Sequence, residues 1–533
     1  MKRLLVAFLA FLAVVLAVPV PAQELPLPTV SPGAQQASSV RVDRIVFRGN
    51  RAVSDADLQT VAAPYTGRVV GADELEALRQ ALTRLYVERG YINSGVLLPA
   101  RPADGVLALE VVEGRLTGLR LRGLKGLDEA YLRARLVRPE DQVLNIEQLR
   151  ERFQLLLDDP LFEHINARLE PGALAGEAEL EVEVERARSW QLSAFVNNYR
   201  PASIGAEAVG LAGSLRNLSG LGDLLEFRLQ ASPRRSAGGN GSLTWHLPLV
   251  ALGLRDTELS LAGEAGSSSV IEEPVEPLDI RSRLASGEIG IRQRLLESLS
   301  QSLDIGLGLL SRSNRTELLG EPFSFTPGVP DGRLHENLLR LWQAYTWRNQ
   351  REVLALRSIF ILGRNNVQAA GGLTANAPPE RDFGLWDGQL HYRHQVMDNG
   401  AQLIVRVNVQ LSPDHLMALD GMVIGGVNSV RGYRENQLVR DRGASLNFEF
   451  EVPWLLADGS RLTLAPFLDL GTARNKDESG TDLASLGLAL GWQWQGLRLD
   501  LALAHRLLHP SVIGHEGGTL QDQGIQLQLT WNF

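Results

Sequence analysis

The chain has 533 residues and contains no cysteine. Disulfide bonds, cysteine metal ligands and cysteine nucleophiles are therefore excluded. An excess of basic charge is also missing: the formal net charge is −9, with acidic and basic residues mixed along the chain, which gives no support for nucleic-acid binding. Beyond the amino terminus there is no run of about 18 uncharged apolar residues, so the sequence predicts no membrane-spanning helix in the mature chain. A secreted soluble protein and a membrane β-barrel remain, because only helices and closed barrels satisfy their backbone inside lipid.

The amino terminus has the pattern of a secretory signal. Lys2 and Arg3 precede an apolar run from residue 4 to residue 18, and small residues then offer a cleavage site after Ala22. The alternative, a membrane anchor helix, is less favoured because the run is short for a core of about 30 Å and no stop-transfer charges follow it. We therefore predict a signal peptide over 1–22 and a disordered, Pro-, Gln- and Ser-rich leader over 23–39.

The last residues favour a β-barrel. Apolar and polar residues alternate strictly over 525–533, ending on the aromatic Phe533, so one face of this strand is apolar and the other is wet. The same alternation recurs over 497–504, 446–452 and 403–411. A soluble sandwich would carry more charge on its solvent face and would usually have shorter strands.

Counting back from Phe533 gives sixteen strands, an even number as expected for a bacterial barrel. They are placed near 189–200, 205–217, 222–232, 240–249, 255–265, 284–297, 302–314, 337–349, 352–364, 384–397, 401–411, 444–453, 461–471, 484–494, 496–506 and 523–533. Connectors alternate between short and long over most of this region, as periplasmic turns and external loops do. With both chain ends in the periplasm, residues 412–443 form the sixth external loop, which is the longest connector and therefore a functional candidate.

The residues ahead of the barrel form two consecutive units of similar order. Each unit, 40–113 and 114–187, reads strand, helix, helix, strand, strand. The clearest elements are the strands 40–47, 94–99, 106–112, 116–121, 162–169 and 178–184 and the helices 72–89 and 146–157, with a short helix starting at Ser54 and Asp55. This order predicts a periplasmic pair of α+β domains followed by a 16-stranded antiparallel transmembrane β-barrel over 188–533.

Two motifs in the barrel then carry a resemblance to a known family. The sixth loop contains Gly425, Gly426, Ser429, Val430, Arg431, Gly432 and Tyr433, followed by Asp441, Gly443, Glu449 and Pro453, and a later strand contains Phe467, Asp469 and Gly471. In the first unit, the matching residues are Gly90, Tyr91, Ile92, Pro99, Gly105 and Gly114. With these motifs the chain resembles the two-partner secretion transporters of the haemolysin-activator (TpsB) family, in which POTRA domains precede the barrel. The resemblance covers nearly the whole mature chain.

The resemblance implies that the sixth loop folds into the lumen and places Arg431 on Asp469. The alternation of the strand agrees, since its leucines take the lipid-facing positions and leave Phe467 and Asp469 on the lumen face. The alternatives are an exposed loop charge for Arg431 and an ordinary pore-wall carboxylate for Asp469. Asn447, Glu449 and Glu451 are also predicted to face the lumen, and we interpret them as solvated wall residues. Some family members carry an amino-terminal plug helix, but residues 23–39 are Pro-rich and show no amphipathic period, so we expect such a helix to be absent or vestigial here.

The leading functional hypothesis is an outer-membrane transporter that recognises an unfolded secreted partner, a large exoprotein, in the periplasm and exports it through the barrel. A barrel-insertion factor is the alternative, although such factors usually carry more than two repeats, and a passive porin is less favoured still. We find no Gly-x-Ser-x-Gly, no His-Glu-x-x-His and no paired metal-ligand cluster, so we expect neither an enzyme nor a cofactor or metal. The expected partners are the secreted client, outer-membrane lipid and the barrel-assembly machinery for insertion of a monomer, without nucleic acid.

Overall fold

The computed structural model describes residues 39–99, 104–138, 142–368, 378–510 and 518–533. The predicted signal peptide and all of the predicted leader except residue 39 lie outside these residues. The chain forms two compact units: one extends to Leu124 and includes Leu132–Arg186, and the other comprises Lys125–Tyr131 and Ala187–Phe533. No helix in the described ranges is both long and apolar enough to cross a membrane.

The first α+β domain is a three-stranded sheet covered by two helices. Its elements are β1 (Val40–Val42), β2 (Arg44–Arg48), α1 (Asp55–Ala62), β3 (Arg68–Val70), α2 (Ala72–Glu88), β4 (Gly95–Leu97) and β5 (Val106–Val112). The strand order is β2–β5–β4, with β2 parallel and β4 antiparallel to β5, while β1 and β3 form a separate pair. Ser54 caps α1, and α2 buries Leu78 and Leu82 completely, one turn apart on one face.

The second α+β domain has the same sheet topology. Its elements are β6 (Arg115–Arg122), α3 (Glu129–Leu136), α4 (Ile146–Leu157), β7 (Phe162–Pro171) and β8 (Glu177–Arg186). The strand order is β6–β8–β7, with β6 parallel and β7 antiparallel to the central strand β8. In β8, Leu180, Val182 and Val184 are buried, and the glutamates between them lie on the other face, so strict alternation sets which face packs on the domain core.

The second unit is a closed antiparallel barrel, and the predicted count of sixteen strands is confirmed. The barrel strands are β9 (Trp190–Asn197), β10 (Ala208–Arg216), β11 (Leu224–Ala231), β12 (Gly238–Pro248), β13 (Thr257–Ser269), β14 (Arg281–Glu297), β15 (Gln301–Leu318), β17 (Arg333–Arg348), β18 (Glu352–Asn365), β19 (Asp382–Gln395), β20 (Gln402–Leu411), β23 (Arg442–Leu455), β24 (Arg461–Arg474), β25 (Thr481–Trp494), β26 (Leu497–Arg506) and β27 (Ile525–Asn532). β16 (Glu321–Pro322) is a short addition to β15, and β21 (Met422–Ile424) pairs with β22 (Leu438–Arg440) inside the sixth loop. Short 3-10 turns occur at Ala63–Tyr65, Ala202–Ile204, Arg235–Ala237, Val250–Leu252, Glu276–Leu278 and Pro330–Gly332.

Closure joins the two ends of the barrel sequence. β27 pairs antiparallel with β9, and the backbone N–H of Phe533, one residue beyond β27, donates to the Leu192 carbonyl at 2.9 Å.

At the short connector between β25 and β26, Gln495 and Gly496 form a two-residue turn with positive φ at both positions (43° and 84°). These are the signs that a type I′ hairpin requires.

Several strands extend further at their extracellular ends than the alternation of apolar residues predicts. β14 begins at Arg281 rather than near 284, β15 continues to Leu318 rather than 314, and β17 begins at Arg333 rather than 337. Most of the added residues are polar, with Leu318 and Leu334 as the exceptions, so the regular apolar period that marks a membrane strand is absent from them. Backbone pairing with the neighbouring strand continues the sheet there without it.

One part of the inner wall is apolar. Lumen-facing side chains from β17, β18 and β19 form a buried cluster with one residue of the sixth loop; the members are Leu338, Ile359, Ile361, Phe383, Leu385 and Leu416. We call this set the apolar wall cluster. It attaches the first part of the sixth loop to the barrel by hydrophobic burial.

Candidate functional site

The sixth loop, residues 412–441, is folded within the barrel. Its hairpin β21–β22 and its tip are buried: Ile424 and Val430 are 0% exposed and Leu438 is 1% exposed. These residues pack against Ala473 of β24 and Leu483 of β25. The loop therefore has a small apolar core that it shares with the barrel wall.

Arg431 at the tip of the loop binds Asp469 of β24 in a two-pronged contact. The Arg431 Nε lies 2.7 Å from Asp469 Oδ2 and its Nη2 lies 2.9 Å from Oδ1, while the backbone N–H of Arg431 also donates to Oδ2 at 3.1 Å. Arg431 is 5% exposed and Asp469 is 0% exposed. A bidentate guanidinium–carboxylate pair fixes direction as well as distance, so it sets the orientation of the tip.

Three further wall side chains complete what we call the tip cluster (Arg431, Asp469, Glu449, Asn447 and Phe467). Glu449 accepts a hydrogen bond from Arg431 Nη1 at 2.7 Å, and Asn447 Nδ2 donates to Asp469 Oδ1 at 2.8 Å and to the Ser429 carbonyl. The Arg431 guanidinium carbon lies 3.5 Å from the centre of the Phe467 ring, which is a cation–π distance. Burial alone would lower the pKa of Arg431, but the bonds to Asp469 and Glu449 outweigh it, so its pKa is raised.

Asn447 and Glu449 are not the solvated wall residues that the sequence interpretation made them. They are 3% and 7% exposed, and both bond to the buried tip cluster. Alternation along β23 places them on the lumen face, but it cannot show that the loop covers them there. The alternation predicts that these side chains point into the lumen. Whether water or protein covers them there depends on how the loop packs.

Gly471, the last residue of the second motif, lies where the loop packs flat on the wall. A Cβ at this position would lie 2.7 Å from methyl carbons of both Ile424 and Val430. Such a distance is well inside van der Waals contact, so the motif needs glycine here for close packing rather than for its backbone angles.

The comparisons with known proteins agree with this geometry. Residues 40–114 match the model described as "POTRA domain, ShlB-type", and residues 350–494 match "Haemolysin secretion/activation protein ShlB/FhaC/HecB", a range that contains the sixth loop and the tip cluster. Both models describe the TpsB family of outer-membrane transporters, so this chain is similar to that family in its first domain and in its barrel. The barrel lies in the outer membrane and the POTRA domains lie in the periplasm.

The individual relatives have low sequence identity to this chain, but the alignments cover most of its length. The heme/hemopexin transporter protein HuxB of Haemophilus influenzae is 22% identical over 80% of this chain and 74% of its own length, and the outer membrane transporter CdiB of Escherichia coli is 23% identical over 81% and 72%. Among solved structures, CdiB from Escherichia coli superposes with a TM-score of 0.73 at 19% identity, covering 96% of this chain and 93% of that one. The structural likeness shows a shared fold.

The sixth loop also makes contacts that the sequence patterns did not predict. Arg434 lies three residues beyond Arg431. Its Nε and Nη2 bind Asp522, in the loop between β26 and β27, at 2.5 and 3.0 Å, and its Nη1 binds Glu272, in the loop between β13 and β14, at 2.7 Å. Burial pushes the pKa of Asp522 up, but the bonds from Arg434 and Thr519 outweigh it and lower this pKa. The partners lie 162 and 88 positions away, so no local pattern identified them.

The rest of the Val-Arg-Gly-Tyr motif is fixed by β25 and β26. Tyr433 is 2% exposed; its hydroxyl donates to the Leu508 carbonyl at 2.6 Å and accepts from the Ala484 N–H at 3.2 Å. The Gly432 carbonyl accepts from Arg506 Nε at 2.7 Å, and a Cβ on Gly432 would lie 2.7 Å from that of Ala504. Each motif residue thus contacts a different part of the wall.

A tight turn precedes the motif, and the half-buried carboxylate of Glu435 accepts a hydrogen bond from its backbone. Gly425 and Gly426 have φ of 104° and 101°, which favour glycine, and the Glu435 carboxylate accepts from the Val427 N–H at 2.7 Å. A Cβ on Gly426 would lie 2.1 Å from an oxygen of Glu435. Burial raises the pKa of Glu435 to about 7, and the bond from Val427 only partly opposes it. Glu435 therefore titrates near neutral pH within the turn.

A polar cavity of about 560 Å³ lies on the periplasmic side of the loop tip. Its roof includes Val427, Asn428 and Arg431, and its walls include Arg461, the first residue of β24, and Arg498, the second residue of β26, both next to periplasmic turns. Arg431 and Glu449 of the tip cluster therefore border this cavity. Among the described ranges no group of His, Asp and Glu has the arrangement of a metal site.

Proposed function

We propose that this protein exports an unfolded secreted partner across the outer membrane, taking it up with its POTRA domains and passing it through the barrel lumen. The supporting observation is the way the sixth loop is held. The tip is attached by ion pairs and hydrogen bonds to polar wall residues, and such contacts can be exchanged for water when the tip leaves. The apolar core that the loop shares with the wall is small, so a closure held largely by polar contacts can open in a wet pore.

The POTRA domains offer a way to hold an extended client. In the second domain β7 is an edge strand of ten residues, paired only with β8 within the described sheet. An extended peptide can add itself to such an edge through backbone hydrogen bonds, which need little sequence specificity. Two curated relatives are named as transporters, HuxB for heme/hemopexin and CdiB of the outer membrane. The client of this chain is expected to be a large exoprotein.

The absence of cysteine allows a direct test of the route. Val430→Cys together with Gly471→Cys places two thiols across the loop–wall contact, where a Cβ on Gly471 would lie 2.7 Å from Val430 Cγ2, close enough for a disulfide. We expect the oxidised protein to stop exporting its partner and the reduced protein to resume, while each single variant is insensitive to oxidant. Full export by the oxidised protein would refute a route that requires the tip to move.

A second test separates export from barrel insertion. Deleting residues 40–187 should abolish secretion of the partner and leave the barrel inserted in the outer membrane. If depletion of the protein instead lowers the amounts of outer-membrane barrels in general, the insertion factor is the better description.

A further inference from the structure

The outer face of the barrel carries an unusual row of like charges at its extracellular end. β14, β15 and β17 pair in register so that Arg283 lies opposite Arg315, and Arg315 lies opposite Arg333. The neighbours Leu334 and Glu336 are buried inside at 3% and 1% exposure, so alternation turns Arg333 outward, and its cross-strand partners with it. We call Arg283, Arg315 and Arg333 the arginine row. Like charges directly opposite one another destabilise a sheet.

The protein itself only partly neutralises this row. Glu317 lies 3.0 Å from Arg315 and 3.7 Å from Arg283, so one carboxylate serves two arginines. Within the described ranges Arg333 makes no ion pair, since the nearby carboxylates Glu317 and Asp382 pair with other arginines. Two outer arginines at the ends of the row have their own carboxylates, Arg281 with Asp279 and Arg364 with Asp382. Five arginines and three carboxylates leave two positive charges in excess, in a chain whose net charge is −9.

An apolar hollow lies directly below the row. It has a volume of about 840 Å³, is lined by outward-facing side chains that include Ile289, Leu309, Leu339 and Leu362, and reaches Arg364 and Asp382 at its rim. These four apolar side chains are 39–62% exposed, as lipid-facing residues of a barrel are. At a rise of about 3.3 Å per residue, Arg364 lies roughly 7 Å beyond Leu362, and Arg333 lies roughly 20 Å beyond Leu339 along its strand.

We propose that this face binds a phosphorylated glycolipid of the outer leaflet, of the lipopolysaccharide type. Its acyl chains fill the hollow, and phosphates on its sugars bind the arginine row, where the guanidinium fork matches phosphate geometry. A phospholipid carries its phosphate at the border of the acyl region, which reaches Arg364 but not Arg333. Anionic sugars that extend further from the membrane are the ligand that serves the whole row and offsets its repulsion.

Binding is tested on the full-length protein purified in detergent. The probes are intact lipopolysaccharide, the same lipopolysaccharide after removal of its phosphates, phosphatidylglycerol and inorganic phosphate, each titrated to give a Kd. We expect Arg333→Gln to raise the Kd for intact lipopolysaccharide about fivefold, and the double variant Arg315→Gln with Arg333→Gln to raise it about 25-fold. Each factor of about five is the usual contribution of one basic side chain at an anionic membrane surface. Arg351→Gln is the matched control, because it removes the same charge from the exposed turn at the other end of β17 and β18.

A second measurement gives the proposal a signature that a folding defect would not produce. Without lipopolysaccharide, Arg333→Gln should raise the unfolding temperature because it removes a repulsion; with saturating lipopolysaccharide the order of the two proteins should reverse. The proposal is overturned if Arg333→Gln binds intact lipopolysaccharide like the unmodified protein or if phosphate removal does not weaken binding. It is equally overturned if phosphatidylglycerol or inorganic phosphate binds as tightly and with the same dependence on Arg333.

Discussion

Replacing Asp469 by asparagine tests whether the tip cluster holds the sixth loop closed. The amide has the shape of the carboxylate and keeps one acceptor, but it removes the charge that Arg431 contacts at 2.7 and 2.9 Å. Hydrogen bonds to charged groups contribute about 1.5–3 kcal/mol each. Glu449 remains at 2.7 Å, so Arg431 keeps one partner and the full cost of an isolated buried charge does not arise. We therefore expect Asp469→Asn to destabilise the closed loop by about 3 kcal/mol, which is about a hundredfold in its opening equilibrium.

The assay uses a single engineered thiol in a chain that has none. Val430→Cys places it at a fully buried tip position, where a thiol reagent reacts only after the tip has left the wall. The rate of modification should rise about a hundredfold when Asp469→Asn is added. Glu451→Gln is the control, because Glu451 lines the polar cavity below the tip and this substitution removes a carboxylate from the neighbouring strand β23 that does not contact Arg431 in the described structure. Equal modification rates with and without Asp469→Asn would refute our account of closure.

Exchange of the two charges is a stricter form of the same test. Arg431→Asp with Asp469→Arg restores the pair but places the new tip carboxylate beside Glu449, which Arg431 contacts at 2.7 Å. The exchange alone should therefore fail to close the loop. Addition of Glu449→Gln should restore closure at least in part, and failure of this triple variant as well would count against direct pairing.

Three further predictions concern other contacts of the loop. Gly471→Ala introduces a methyl carbon 2.7 Å from Ile424 and Val430 and should weaken closure by about 1–3 kcal/mol, measured as open probability in planar bilayers, whereas Gly491→Ala, with no neighbour nearer than 3.6 Å, should not. Tyr433→Phe removes bonds to Leu508 and Ala484 and should lower the free energy of unfolding by about 1–3 kcal/mol in denaturant titrations. The pKa of Glu435 is raised to about 7 from its ordinary 4.5, so the closed loop favours the protonated form of this side chain. Protonation therefore stabilises the closed loop by up to about 3 kcal/mol; this stabilisation is complete below pH 4.5 and is lost as the pH rises to 7. Open probability should then increase from pH 5 to pH 8, and an unchanged pH response in Glu435→Gln would exclude this residue as the cause.

The sequence predicted the barrel well because its signal is local and repeated. Alternation at period two persists through each membrane strand, and counting these segments back from Phe533 is enough to find all sixteen. The polar extensions of β14, β15 and β17 were missed because they lack that alternation. Backbone pairing to a neighbour, rather than the composition of the strand itself, holds them in the sheet.

The candidate site was predictable in its centre and not in its surroundings. Arg431 and Asp469 were proposed as a pair through the family motifs, and the structure places them in bidentate contact. Arg434 belongs to no such motif, and its partners Glu272 and Asp522 come from loops whose proximity depends on closure of the whole barrel. Long-range contacts of this kind follow from tertiary packing, which single-sequence patterns do not encode.

The apolar wall cluster bears on what kind of cargo the barrel can carry. Leu416, near the start of the sixth loop, is 8% exposed and packs against five apolar residues of the inner wall, so moving it into water costs about 1.5–3 kcal/mol for the leucine alone and uncovers the wall as well. The beginning of the loop is therefore expected to stay in place when the tip swings away, with the glycine turn at 425–426 as the pivot. The bore that opens is then a crescent beside a retained segment rather than the full circle of sixteen strands. We expect such an aperture to admit one extended polypeptide and to exclude a folded domain, so the client of the proposed export would acquire its structure only after it has left the cell.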